Sequence, residues 1–168
     1  MPRLFLAVPV HLYNYETIRN EIHPYVQGRW VADHQLHLTV AFFGKRFTLQ
    51  ELLKRLEGIE FTFLPSELQR LEYLSGSGIL AAITPNPTLQ NLYEHIAAVT
   101  ELPITPMQWH VTLIRIKRIV DPENFSARLA ALRITPIGKL ESKIVLYHSE
   151  LSPEGAKYTP LKEWEAAP

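Results

Sequence analysis

"HLTVAFFG" occupies His37–Gly44 and "HVTLIRIK" occupies His110–Lys117. Each sets a histidine, one residue and a threonine at the head of an apolar run. With seven histidines in 168 residues, roughly half a His-x-Thr match is expected by chance, so the pair gains its meaning only from context. In a strand, residues i and i+2 point to one face. His37 therefore shares a face with Thr39, and His110 with Thr112, while Leu38 and Val111 look the other way.

The context is a repeat. Leu4–Val8 reads as a strand stopped by Pro9. Leu12 to about Val26 has helical apolar spacing, and Leu36–Phe43 is a strand closed by Gly44. Thr48 and Glu51 make a capping box for a helix ending near Gly58. Glu60–Leu64 and Leu68–Leu74 alternate as strands do. The second half replays this order. "GILAAI" is a strand, Asn86-Pro87 opens a helix, "WHVTLIRI" is a strand, Asp121-Pro122 opens another helix, and the chain is extended again from Ile134. Leu4 and Ile79, His37 and His110, and Thr48 and Pro122 are all 73–75 positions apart. The chain is therefore expected to be a single domain over 1–168, with approximate repeats 1–75 and 76–150. A C-terminal hairpin follows, turning at Ser152–Gly155.

Composition narrows the function classes. An apolar share of 46% can fill a core, and the formal charge is zero with a pI near 7.1. No global positive field draws in a polyanion, so duplex DNA is not an expected partner. The absence of Cys excludes disulfides, thiol nucleophiles and Cys-ligated zinc. The opening "MPRLFLAVPV" is too short to span a membrane and lacks a secretory cleavage pattern. A cytoplasmic monomer with no membrane attachment is expected.

Two imidazoles and two hydroxyls converging on one spot suit phosphodiester cleavage. Imidazole titrates near neutrality, so one ring can take a proton from water while the other gives one to the leaving oxygen. Thr hydroxyls can hold the non-bridging oxygens, and no metal or cofactor is needed. A lone His at a strand start is more often structural; two in register reverse that weighting. His34 and His37 do not share a strand face, so no metal site is expected.

With these residues in view, the chain resembles the 2H phosphoesterase superfamily, named for two H-x-[ST]-x motifs. Within it, the chain resembles the RNA 2′,3′-cyclic phosphodiesterases, historically called 2′-5′ RNA ligases. The likeness runs through "RLFLAV", "RWVADHQLHLTVAFFG", "WHVTLIRIKR" and "LESKIVLYHSEL…GAKYTPL". It implies an α+β, bilobal, duplicated fold: two antiparallel sheets with helices outside, enclosing a central cleft. The implied substrates are RNA 2′,3′-cyclic phosphate ends or small cyclic nucleotides, opened to 2′-phosphates, and the reverse reaction would join 2′-5′ ends. By position His37 would be the acid on the 3′-oxygen and His110 the base on water, with Thr39 and Thr112 holding phosphoryl oxygens. Arg115 stands where family members often place an Arg near the phosphate. Strict alternation turns it away from Thr112 unless the strand bulges. Phe42 or Phe43 is the candidate to stack on a base. Trp109 stands where the family commonly has Pro. The competing reading is a non-catalytic module that binds RNA ends or phosphate.

Overall fold

The computed structural model describes residues 1–132 and 136–166. The chain order is β1 (Leu4–Leu12), α1 (Tyr15–Ile22), β2 (Val26–Trp30), β3 (His37–Gly44), α2 (Leu49–Arg55), β4 (Glu67–Leu68), β5 (Arg70–Leu74), β6 (Ile79–Ile83), α3 (Pro87–Thr100), β7 (His110–Ile119), α4 (Pro122–Ala131), β8 (Gly138–Leu140), β9 (Lys143–Ser152) and β10 (Gly155–Glu165). Ile134, where renewed extension was expected to begin, lies outside the described residues.

The architecture is α+β, and every strand pairing in it is antiparallel. Ten strands form one sheet, in which two four-stranded groups stand where two sheets are expected: β10-β9-β1-β3, and β5-β6-β7 with β2 on the far edge of β7, while β8 pairs with β1 and β4. A single residue pair, Leu38 with Val111, joins β3 to β7 and makes the strands continuous. Each sheet draws on both halves of the sequence: β2 pairs with β7, and the β9–β10 hairpin extends β1. The helices cross over too, with α1 packed on α4 and α2 on α3.

Local chemistry explains where elements begin and end. β1 runs through Pro9 to Leu12, beyond the expected stop. It pairs with β9 over Leu4–Ala7 and with β8 over Val10–Leu12, so Pro9 sits at the change of partner. A missing N–H does least harm there. The expected long helix from Leu12 is only α1, because the residue before a proline disfavours helix and Pro24 follows His23. A 3₁₀ turn at His23–Tyr25 then leads into β2, part of which the apolar spacing had assigned to the helix. Glu60–Leu64 forms no strand, although Phe61 and Phe63 are buried and Thr62 and Leu64 exposed. Phe61 instead stacks on Trp164, centroids 4.3 Å apart. Leu68–Leu74 breaks at Gln69 into β4 and β5.

The capping box is present: the Glu51 N–H donates to Thr48 Oγ1 at 3.2 Å, and the Thr48 N–H to Glu51 Oε2 at 3.3 Å. Thr48→Ala is expected to lower stability by about 1 kcal/mol; a urea titration showing no change would mean the cap is idle. The main core gathers Leu4, Leu6 and Val8 of β1 with Leu38, Val40 and Phe43 of β3 and Leu89, Leu92 and Ile96 of α3. A second cluster, Ile22, Leu80, Ile114 and Phe125, seats α1 and α4 on the β7 sheet.

Candidate active site

The Leu38–Val111 pair sets the register of the two motifs. Both side chains are fully buried. Antiparallel pairing there brings His37 opposite Thr112 and Thr39 opposite His110, all four on the face away from the core. The histidines thus occupy diagonal positions, about 7–8 Å apart in an ideal ladder and somewhat closer at Cβ. That spacing admits one tetrahedral phosphoryl group between two rings.

Both rings are held alike. His37 Nδ1 lies 2.7 Å from the Gln35 carbonyl oxygen, and His110 Nδ1 lies 2.8 Å from that of Gln108. A carbonyl only accepts, so each Nδ1 carries a proton and Nε2 is the nitrogen left for chemistry. The fuller repeat is therefore Gln-x-His-x-Thr, a signal that sequence reasoning passed over.

Strict alternation fails in both strands at the same place. In β7, Leu80 pairs with Ile114 and Ala81 with Thr112, leaving Leu113 as an extra residue. In β3, Leu6 pairs with Ala41 and Ala7 with Thr39, leaving Val40 extra. These twin bulges bury two consecutive residues in each strand, Val40 and Ala41, Leu113 and Ile114. They also return the fifth residue after each histidine to the histidine face. Arg115, paired with Ile79, therefore shares the face of Thr112 and His110. Phe42, paired with Phe5, shares that of Thr39 and His37. Phe42 is 47% exposed and Phe43 1%, so only the former is available to a ligand. The Arg3 guanidinium lies 5.2 Å from the Phe42 ring centre.

The β7 bulge is anchored from behind. The Leu113 carbonyl accepts from the Val31 N–H at 2.8 Å and lies 3.1 Å from the Tyr15 hydroxyl, which also donates to the Val31 carbonyl at 2.6 Å. Burial keeps the Tyr15 phenol firmly protonated.

The two sheets treat their histidines differently. Around His37 stand Phe5 at 5.3 Å and Tyr158 edge-on at 5.2 Å, with Tyr147 stacked on Phe5. None of these three was singled out as a site residue from the sequence. Burial holds the His37 pKa below the ordinary imidazole value; the Gln35 hydrogen bond opposes this, and the charges of Arg115 and His110 add to the lowering. His37 is therefore neutral at neutral pH, and Arg115 is near enough for its charge to be felt there. Trp109 is buried against Tyr93, and its carbonyl accepts from the Thr84 N–H at 3.1 Å. Strand β7 thus starts at His110 with no proline before it. A groove of about 500 Å³ lies beside it, lined by Trp109, Gln108, Met107, Ile83 and Pro85 among others. Among the described residues, no three His, Asp or Glu side chains are grouped to hold a metal. No helix there is long and apolar enough to cross a membrane.

No family model matches the chain. An RNA 2′,3′-cyclic phosphodiesterase of Methanocaldococcus jannaschii is 27% identical over 96% of this chain and 99% of its own length. Among solved structures, Escherichia coli LigT in its apo form superposes with a TM-score of 0.74 at 22% identity, covering 99% of this chain and 98% of LigT. LigT complexed with 3′-AMP gives 0.72 at 23% identity over 99% of both chains. A Thermus thermophilus protein gives 0.72 at 24% identity over 97% of both.

Proposed function

We propose that this chain, which belongs with the 2H phosphoesterases in its fold and in both motifs, hydrolyses 2′,3′-cyclic phosphodiesters to 2′-phosphates by metal-free acid–base catalysis. The observation that carries this reading is the Leu38–Val111 register, which sets two imidazoles with free Nε2 atoms diagonally across one face. That the M. jannaschii relative is a 2′,3′-cyclic phosphodiesterase, and that LigT forms complexes with 3′-AMP, ATP and phosphate, supports a nucleotide phosphate in the same cleft.

In the proposed reaction the cyclic phosphate lies between the rings, with Thr39, Thr112 and Arg115 on its non-bridging oxygens. His110 Nε2 takes a proton from water as the water oxygen bonds to phosphorus. The P–O3′ bond breaks, and His37 Nε2 delivers a proton to O3′, leaving the 2′-phosphate. His37 is neutral before substrate binds, so the substrate's own negative charge loads it with a proton. The anion offsets Arg115 and stabilises the imidazolium. With an RNA 5′-hydroxyl in place of water, the same steps would form a 2′-5′ linkage, and the abundance of water makes hydrolysis the favoured outcome. The setting proposed is a cytoplasmic monomer acting on single RNA ends or small cyclic nucleotides.

The test is incubation of an RNA end or nucleotide bearing a 2′,3′-cyclic phosphate with the protein in EDTA. A 2′-phosphate product is expected. No product, or a strict need for added metal, would end this reading.

A further inference from the structure

Resting on that function, we infer that Arg29 is a specificity residue that binds the phosphate one nucleotide upstream of the reacting one, making the substrate an RNA end rather than a mononucleotide.

Arg29 lies on β2, directly opposite Arg115 of β7. Directly paired residues of an antiparallel ladder project to the same side, so Arg29 stands on the cleft face beside the arginine assigned to the reacting phosphate. Gly28 makes this possible: any Cβ there would run into the Arg115 carbonyl, so only glycine lets β2 lie this close to β7. Two like charges directly opposite one another destabilise a strand pair. Among the described residues neither arginine has a carboxylate within ion-pair distance. A charge pair kept without a protein counter-ion is relieved by an anion, and a single cyclic phosphate answers only one of the two guanidinium groups.

Arg29 also reaches the hairpin of the other strand group. Its Nη2 donates to the Pro153 carbonyl at 3.1 Å, in the turn between β9 and β10, and its side chain packs against Gly155. Gln35 donates to the Ala156 carbonyl at 2.9 Å, just past the same turn. The hairpin tip of one sheet is thus fastened to β2 and to the segment that leads into His37, and the contact holds the Arg29 guanidinium in place beside the strand that carries Arg115. One of five N–H donors is spent on Pro153, leaving the others for a ligand. A nucleoside 2′,3′-cyclic phosphate with a free 5′-hydroxyl offers them a neutral acceptor and no second anionic charge. The terminal nucleotide of an RNA carries a second phosphate on its 5′ side.

The experiment compares adenosine 2′,3′-cyclic phosphate with the dinucleotide ApA ending in a 2′,3′-cyclic phosphate, using the wild type, Arg29→Ala, Arg29→Lys and, as a control, Arg55→Ala. Arg55 is stacked on Phe47, outside the cleft. The wild type and Arg55→Ala are expected to favour the dinucleotide by about 10–100-fold in kcat/KM, the range of a charge-assisted hydrogen-bonded contact. Arg29→Ala should bring that ratio to about one, Arg29→Lys should keep part of it, and added salt should erode the preference wherever the Arg29 charge is present. A wild-type ratio near one overturns the inference. So does a ratio unchanged in Arg29→Ala, or an equal loss on both substrates, which is what a merely structural anchor for the hairpin would give. Calorimetric binding of 2′-AMP against ApA 2′-phosphate keeps the inference separate from the catalytic reading. A dinucleotide preference lost in Arg29→Ala supports Arg29 even if no substrate turns over, and no preference overturns it.

Discussion

Replacing either histidine by asparagine is expected to cut hydrolysis of a 2′,3′-cyclic phosphate by about 10²–10⁴-fold, while the 2′-phosphate product still binds within a few-fold of wild type. Asparagine is the informative substitute because its amide N–H can still donate to the Gln35 or Gln108 carbonyl in place of Nδ1. The scaffold hydrogen bond survives and the titrating nitrogen is lost. His37→Asn is the more demanding case, since Phe5 and Tyr158 pack around that ring, so its melting temperature is measured alongside. The double variant should be little worse than the poorer single one, because the two rings act on one proton-transfer sequence. Binding and turnover lost in equal measure would favour a phosphate-binding module over an enzyme. A change in stability alone would make the motifs structural.

Much of this was readable from one sequence because the signals were local and repeated. His-x-Thr at the head of an apolar run sets both side chains on one strand face, and Thr48 with Glu51 announces a helix start by side-chain chemistry alone. The tail hairpin was legible from its turn, which closes with Ser152 Oγ donating to the Gly155 carbonyl at 2.7 Å. What escaped was set by pairing. Val40-Ala41 and Leu113-Ile114 are ordinary apolar dipeptides; only the neighbouring strands β1 and β6 make one residue of each surplus. Alternation alone points Arg115 away from the site, and the bulge points it back. β2 was hidden because its partner β7 lies in the other half of the chain and its exposed residues Gln27, Gly28 and Arg29 carry no apolar alternation. The aromatic enclosure of His37 was hidden likewise, since Phe5, Tyr147 and Tyr158 meet only through strand order.

Arg115→Ala should produce two linked effects, and together they test both the bulge and the placement of Arg115 beside His37. The first is a fall in kcat/KM of about 10²–10³-fold, the usual loss when one preorganised donor to a charged transition state is removed. The second is a shift in pH dependence whose sign is fixed by electrostatics. The Arg115 charge disfavours a second positive charge on His37 and so contributes to its lowered pKa; removing it lets that pKa rise toward the ordinary imidazole value. Whichever proton transfer His37 performs, the limb of the kcat/KM profile that follows its titration should move to higher pH in the variant. In the wild type the same limb should lie at higher pH in kcat than in kcat/KM, because kcat reports the substrate complex and the bound anion raises the His37 pKa. Burial is the largest cause of the lowering and Arg115 a smaller one, so the shift on removing Arg115 should be partial. The apparent values belong to the coupled pair, because His110 also acts on His37. The direction of movement is therefore the decisive reading. An Arg115→Ala enzyme with unchanged rate and unchanged limbs would mean that the guanidinium never faces the phosphate, and that the bulge at Leu113 serves packing alone.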